Sequence, residues 1–251
     1  MSSTLPAPTT PAAVVSIHAL RTHCMNCSLR ELCLPVGFKP DELQALDAAV
    51  TTRARLRKGA SLYRAGTPFS ALYAVRIGSM KTTVAAEDGR VHVAGYHMTG
   101  DIIGLDGVGT GRHGCEAIAL EDTEVCTLPF DRLEALARTV PPLQHNLHRV
   151  LGCEISRDQR LLLLLGNMRA EERVATFLLN LSERYRQRGY SASEFVLRMT
   201  REEIGSFLGL TLETVSRLFS RFQSEGLIQV QGRAVKLIDR NALRELAPRG
   251  Q

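Results

Sequence analysis

The chain has 251 residues, 44% of them hydrophobic and 23% charged, with ten prolines, no tryptophan and a formal net charge of +5. That length is too great for a peptide scaffold; it suits one large domain or two modest ones, each able to bury a core. No apolar run approaches the roughly 18 residues of a membrane-spanning helix; the longest, Leu161 to Leu165, sits between Arg160 and Gly166.

Met1 to Val15 is a Ser/Thr/Pro/Ala stretch without the charged start and apolar block of a secretory signal. The expectation is a cytoplasmic protein whose residues 1–20 form a disordered tail. Charge is placed unevenly. Residues 1–156 hold 15 Lys/Arg and 15 Asp/Glu, whereas residues 157–251 hold 16 against 11. An arginine-rich C-terminal third behind a neutral body suggests a polyanion partner at one end.

Residues 21–50 form a cysteine-rich segment. Of six cysteines, three fall together as Cys24-x2-Cys27-x5-Cys33. In a reducing compartment such a group points to a metal or redox centre rather than to disulfides. Three thiolates leave a four-coordinate site incomplete, so a distant fourth ligand is needed, and Cys115 and Cys126 are both candidates. Zinc would accept sulfur or imidazole there, including His23; an iron–sulfur cubane usually takes four thiolates.

Residues 51–139 read as short strands punctuated by glycine: Leu72–Val75, Met80–Ala85, a turn at Glu87–Arg90, then Val91–Tyr96. This spacing favours a small β-barrel or jelly roll. Gly104 to Gly114 contains five glycines but no Walker-type G-K-[ST], so a flexible hairpin is expected rather than a phosphate cradle.

Pro141-Pro142 opens a helix, with 140–166 as its expected span. Leu147, Leu151, Ile155, Asp158, Leu162 and Leu165 step by three or four residues, the pattern of a coiled-coil seam that meets a copy of itself. Asp158 interrupts the apolar row. Facing its twin across a two-fold axis, it would repel it and leave the homodimer marginal. Gly166-Asn167 is expected to interrupt the helix, and Ala170 to Arg186 supplies another.

Thr200-Arg201-Glu202-Glu203 is a capping box. It opens a helix-turn-helix pattern: Ile204, Leu208, Leu210, Val215 and Leu218 apolar, Gly205 where the helices cross, Gly209 at the turn. Thr211 can cap the second helix, leaving Glu213, Thr214, Ser216, Arg217 and Arg221 on its polar side. Arginine presents a fork to guanine and glutamate accepts from cytosine N4, so Glu213 and Arg217 can read a G·C pair in double-stranded DNA. Leu227–Val230, a turn at Gln231-Gly232-Arg233, and Val235–Ile238 read as a two-stranded wing.

These motifs give the chain its family likeness. Cys24-x2-Cys27-x5-Cys33, Val125 to Phe130, Ala170-Glu171-Glu172-Arg173 and Leu210 to Arg217 resemble the FNR (fumarate and nitrate reduction regulator) branch of the CRP/FNR transcription regulators, over Thr22 to Leu246. The resemblance implies an α+β fold: a β-roll (jelly-roll) sensory domain, a long dimerisation helix, and a winged helix-turn-helix domain over 167–251. It implies an oxygen-labile [4Fe–4S] cluster held by Cys24, Cys27, Cys33 and Cys126, which leaves Cys115 and Cys153 as accessory thiols. It also implies Glu213, Ser216 and Arg217 as base readers of TTGAT-like half-sites in a two-fold operator, and contact with RNA polymerase through exposed roll loops such as Ala86–Arg90. Cyclic-nucleotide relatives clamp phosphate with a Glu and an Arg-Ser; Arg112 to Ala117 lacks that pairing, so cyclic AMP is not an expected ligand.

In the expected mechanism, the cluster ties the N-terminal loop to the roll and offsets the Asp158 repulsion; oxygen undoes this and the dimer parts. Other classes remain: a zinc-stapled DNA binder that senses nothing, or a regulator sensing a small molecule in the roll. No Ser-His-Asp motif, nucleotide-binding loop or His-rich catalytic pattern is legible, so an enzyme is not expected.

Overall fold

A computed structural model describes residues 24–29 and 31–247. The expected tail and His23 lie outside the described residues. Within them, the α+β class stands. A short 3-10 turn at Cys24–Asn26 leads through a loop to α1 (Pro40–Ala49). Eight strands follow: β1 (Thr52–Leu56), β2 (Ser61–Tyr63), β3 (Ala71–Ile77), β4 (Ser79–Ala85), β5 (Val91–Met98), β6 (Ile102–Ile103), β7 (Glu116–Ala119) and β8 (Thr123–Pro129). They form two antiparallel four-stranded sheets, ordered β1-β8-β3-β6 and β2-β7-β4-β5, packed as a jelly roll.

Strand parity distributes the core. Val75 of β3 and Val125 of β8 point between the sheets, where they meet Tyr63, Met80, Ile103 and Cys115. Their neighbours Leu72, Ala74, Cys126 and Leu128 point to the opposite face. That outer face is covered by Leu34 and Leu46, by Leu133 of α2 (Phe130–Ala137), and by Leu143 of α3 (Pro141–Asn167).

Pro141 and Pro142 occupy the start of α3, where a missing N–H has no intrahelical partner to lose. Gly166 does not interrupt this helix, which runs to Asn167 and breaks only at Met168–Arg169 before α4 (Ala170–Gln187). An isolated glycine weakens a helix without ending it when the flanking turns are packed, as Leu164 and Leu165 are here.

The C-terminal unit holds α5 (Arg201–Leu208), α6 (Leu212–Ser224), β10 (Ile228–Gln231), β11 (Ala234–Leu237) and α7 (Arg240–Leu246). The wing has three strands, not two. Glu194–Val196, which carried too short a pattern to stand out, forms β9 and pairs with β11. The glycine-rich stretch is an ordered hairpin rather than a loose one: Phe69 N–H donates to Gly111 O (2.9 Å) and Gly66 N–H to His113 O (2.7 Å).

Candidate functional site

Cys24, Cys27 and Cys33, from the N-terminal loop, and Cys126, from β8, line one pocket with Leu34, Leu46, Val50, Ala74 and Leu128. Cys126 sits in mid-sheet, paired in register with Arg53 of β1 and Ala74 of β3, its side chain on the outer face that the loop covers. The loop is fitted closely there. Gly100 adopts φ +93°, and a Cβ built on it would lie 2.9 Å from Leu32 Cβ, so only glycine lets the loop approach. Cys24 N–H donates to Asp47 Oδ1 of α1 (2.8 Å).

Burial pushes the Cys24 thiol up to about 12, helped by Asp47 and Cys33. Burial likewise takes Cys33 to about 12, with Cys126 and Cys27 adding to it. Cys126 is raised by burial while Arg53 beside it pulls the other way. Burial thus disfavours the thiolate form of Cys24, Cys33 and Cys126, and a cationic centre is what would hold them as thiolates. Among the described residues no three His, Cys, Asp or Glu side chains are drawn together tightly enough to hold a single metal ion. Four cysteine side chains lining one apolar pocket are a donor set that a thiolate-ligated centre can use.

Cys115 is elsewhere. It lies between the sheets, its thiol donating to Asp106 Oδ2 (3.3 Å), and burial pushes it up to about 12. Asp106 also accepts from Gly114 N (2.8 Å) and Cys115 N (3.2 Å), while His113 stacks on Tyr63 with ring centroids 3.7 Å apart. These side chains fill the interior beside the glycine-rich hairpin, and Arg112 spends Nη1 on Gly66 O (2.7 Å).

The α3 row divides into three parts. Leu147 packs against the outer-face core of the roll, and Leu165 against the C-terminal core. Between them Leu151 is half-buried, while Ile155 (58% exposed), Asp158 and Leu162 (69% exposed) are open on the single chain. A residue the sequence reading passed over is Asn146. It is buried, and its Nδ2 donates to Leu34 O and to Val36 O, both at 2.8 Å. Its signal was a polar side chain at an apolar position, three residues after Leu143 and four before Val150.

The DNA-facing unit is locally specified. Thr200 Oγ1 accepts from Glu203 N (3.1 Å) and Glu203 Oε2 from Thr200 N (2.7 Å), the reciprocal cap that starts α5. Gly209 takes φ +63° at the turn, and Thr211 Oγ1 caps α6 by accepting from Thr214 N (3.2 Å). A Cβ on Gly205 would meet Leu210 O at 2.6 Å, so the helices cross where side chains have no room. Val215, Phe219 and Phe222 anchor α6, leaving Glu213 and Arg217 exposed and Thr214 and Ser216 half-buried beside them. The carboxyl of Glu213 is held below its usual range by its own backbone N–H and the Thr211 hydroxyl, with Arg217 a smaller influence. Arg217 leans on Thr214 Oγ1 (3.5 Å). Arg221 is engaged by Glu171 and Glu225, both at 2.7 Å.

Two arginine staples had no legible role in sequence. Arg173 donates to Leu165 O (2.7 Å), Met168 O (2.9 Å) and Leu208 O (3.0 Å), joining the end of α3 to the end of α5. Arg184 of α4 and Arg188, which caps its end, both grip Asp101 of the roll, Arg188 at 2.7 Å. Arg188 also donates to Thr99 O (2.6 Å). Lys81–Glu203 (2.6 Å) and Val93 N to Ser206 Oγ (2.9 Å) complete the docking of the roll on the C-terminal unit.

A jelly roll, a long helix with an open apolar row, and a capped helix-turn-helix with a wing define a CRP-like DNA-binding regulator. Residues 172–246 match the Crp-like helix-turn-helix domain family, and residues 53–140 the cyclic nucleotide-binding domain family. The transcriptional regulatory protein btr of Bordetella pertussis is 47% identical over 224 residues, 89% of this chain and 93% of that protein. The fumarate and nitrate reduction regulatory protein of Escherichia coli is 42% identical over 225 residues, 90% of each. FixK2 from Bradyrhizobium japonicum, a solved structure, is similar with a TM-score of 0.75 at 32% identity, over 80% of this chain and 100% of that one.

The chain belongs to the CRP/FNR family. It is an FNR-type transcription regulator and not an enzyme. No helix among the described residues is long and apolar enough to cross a membrane.

Proposed function

We propose that the chain is an oxygen-responsive regulator in which Cys24, Cys27, Cys33 and Cys126 hold a [4Fe–4S] cluster, and in which cluster integrity sets homodimerisation and hence DNA binding. One observation carries this reading: three cysteines of the N-terminal loop and a fourth some ninety residues on line one apolar pocket that abuts the start of α3. When bound, the cluster supplies an oxygen-labile centre that four thiolates share.

The chain's own residues do the rest. Cys24, Cys27 and Cys33 bring the loop onto the outer face of the roll at Cys126, and Leu34 follows Cys33 into the core shared with Leu143 and Leu147. With the loop seated, the N-terminal half of α3 is held against the roll. Leu151, Ile155 and Leu162 then meet their copies strongly enough to offset Asp158 facing its twin, a like-charge pair costly to desolvate. Two α6 helices, set about one turn of DNA apart, enter successive major grooves of a two-fold operator with TTGAT-like half-sites. Glu213, Ser216 and Arg217 read bases; Thr211, Thr214 and Arg221 flank them. A released loop leaves a monomer that meets half the operator. RNA polymerase contact falls to exposed roll loops such as Ala86–Arg90, and the protein works in the cytoplasm.

The test is purification of the full chain without oxygen. Iron and acid-labile sulfide near four each per chain, with visible absorbance that bleaches in air, are expected. Colourless protein with stoichiometric zinc would instead make it a zinc-stapled regulator. Asp158→Ala is expected to dimerise in air; a variant that stays monomeric without the cluster would mean that repulsion at this position is not the switch.

A further inference from the structure

We infer that Asn146 is the positioning residue that couples the cysteine loop to the dimerisation face of α3. The inference rests on the reading of α3 as the dimer helix. Asn146 is 4% exposed, and its single amide nitrogen serves two carbonyls of the loop, Leu34 O and Val36 O, each at 2.8 Å. Leu34 directly follows Cys33, which lines the cysteine pocket. Leu147, the first residue of the α3 row, directly follows Asn146. A connection between segments more than a hundred residues apart thus passes through one side chain.

A buried amide is costly unless its hydrogens are paired, and here both are. Apolar contact between Leu34 and Leu143, both fully buried, holds the loop to α3 but tolerates sliding. Two hydrogen bonds from one planar group to carbonyls two residues apart remove that freedom, so the loop and helix share one register. If the loop lifts, both donors lose their partners together, and the start of α3 is left with only its apolar packing on the roll. The open residues Ile155, Asp158 and Leu162 lie on the same rigid helix, Asp158 about 18 Å further along its axis. A shift at Asn146 therefore becomes a shift of the face that meets the second copy. Because coupling is reciprocal, dimerisation also holds the loop in place.

The test compares the full chain with Asn146→Leu, similar in size but without donors, both prepared without oxygen. Asn146→Leu is expected to take up the same iron and sulfide and show the same visible spectrum, yet to dimerise about ten-fold more weakly or worse in sedimentation. Asn146→Leu combined with Asp158→Ala is expected to bind the operator as well as Asp158→Ala does, because the marginal step has been removed. Should Asn146→Leu misfold, Asn146→Gln, which keeps the donors on a longer arm, is expected to show the same pattern with about a three-fold loss.

Undiminished dimerisation of these variants, beside a parent that dimerises only with iron bound, would overturn this inference alone. So would loss of iron uptake, which would make Asn146 a determinant of the pocket, or a double variant that stays defective, which would make its role merely structural. A parent whose dimerisation ignores iron would overturn the proposed function and this inference with it.

Discussion

The winged helix-turn-helix unit and the cysteine pocket are built in opposite ways. The first is made by neighbours in sequence: Thr200 caps with Glu203, Gly209 turns, Thr211 caps again, and Phe219 and Phe222 bury against the wing that follows. The second is made by strangers, a loop at residues 24–33 and a strand residue at 126 that meet because the outer sheet face must be covered. A site of the first kind tolerates damage elsewhere in the chain. A site of the second kind fails when either side of the contact is lost.

The sharpest way to break that contrast is Cys126→Ser beside Cys115→Ser. The first is expected to abolish iron uptake in anaerobic preparations, and with it operator binding, while circular dichroism shows the helices intact. The second is expected to leave iron content unchanged, because Cys115 faces between the sheets. Equal iron loss in both would mean that strand parity does not select the ligand.

Asp101 links the two regions, since it follows Gly100 at the pocket and accepts from two arginines at the C-terminal end of α4. Burial alone would raise its carboxyl, but Arg184 and Arg188 bring it down to about 2. Asp101→Ala leaves those guanidinium groups buried without their partner and is expected to cost about 3 kcal/mol in urea unfolding. Loss below about 1 kcal/mol would show that the roll and the C-terminal unit are not energetically joined there.

Arg217→Ala belongs to the local kind of site. It is expected to weaken operator binding by about 1–3 kcal/mol and binding to random DNA far less. Equal loss on both sequences in titrations at fixed salt would make it a phosphate contact.

The smallest effect expected is a pH dependence from His97 of β5. Burial lowers it to about 3, with Asp101 opposing and Arg157 and Arg184 reinforcing. A depressed folded value means that the unfolded chain takes up the proton first. Its contribution is therefore full above about 6.5 and is lost as pH falls toward 3. Between pH 6.5 and 5.5 the loss is about 1 kcal/mol, and His97→Gln should flatten the curve of urea midpoint against pH over that range.

Much of the fold was legible because it rests on local rules. Alternation and glycine turns marked the central roll strands β3, β4 and β5, a capping box marked α5, and steps of three and four marked α3. What escaped notice was weak in sequence and strong in space. β9 is a three-residue strand that exists only because β11 offers an edge. The α3 row reads as one seam, yet Leu147 and Leu165 serve cores at opposite ends of the chain and only the middle is open. Arg173 and Asp101 gave no periodic signal, because their partners are single groups far away in sequence.

By itself the sequence determined the long helix, the helix-turn-helix and the central roll strands, where α6 begins, and that three thiols cluster near the N-terminus, since each of these depends on residues within a turn or two of one another. Spacing left Cys115 and Cys126 open until the family resemblance chose between them, and only the tertiary structure decided that Cys126 lines the pocket while Cys115 faces between the sheets, that Gly100 must lack a side chain, and that Asn146 ties the cysteine loop to α3. Those outcomes depend on which face of a sheet a side chain takes and on what packs over it, and no spacing along the chain encodes either.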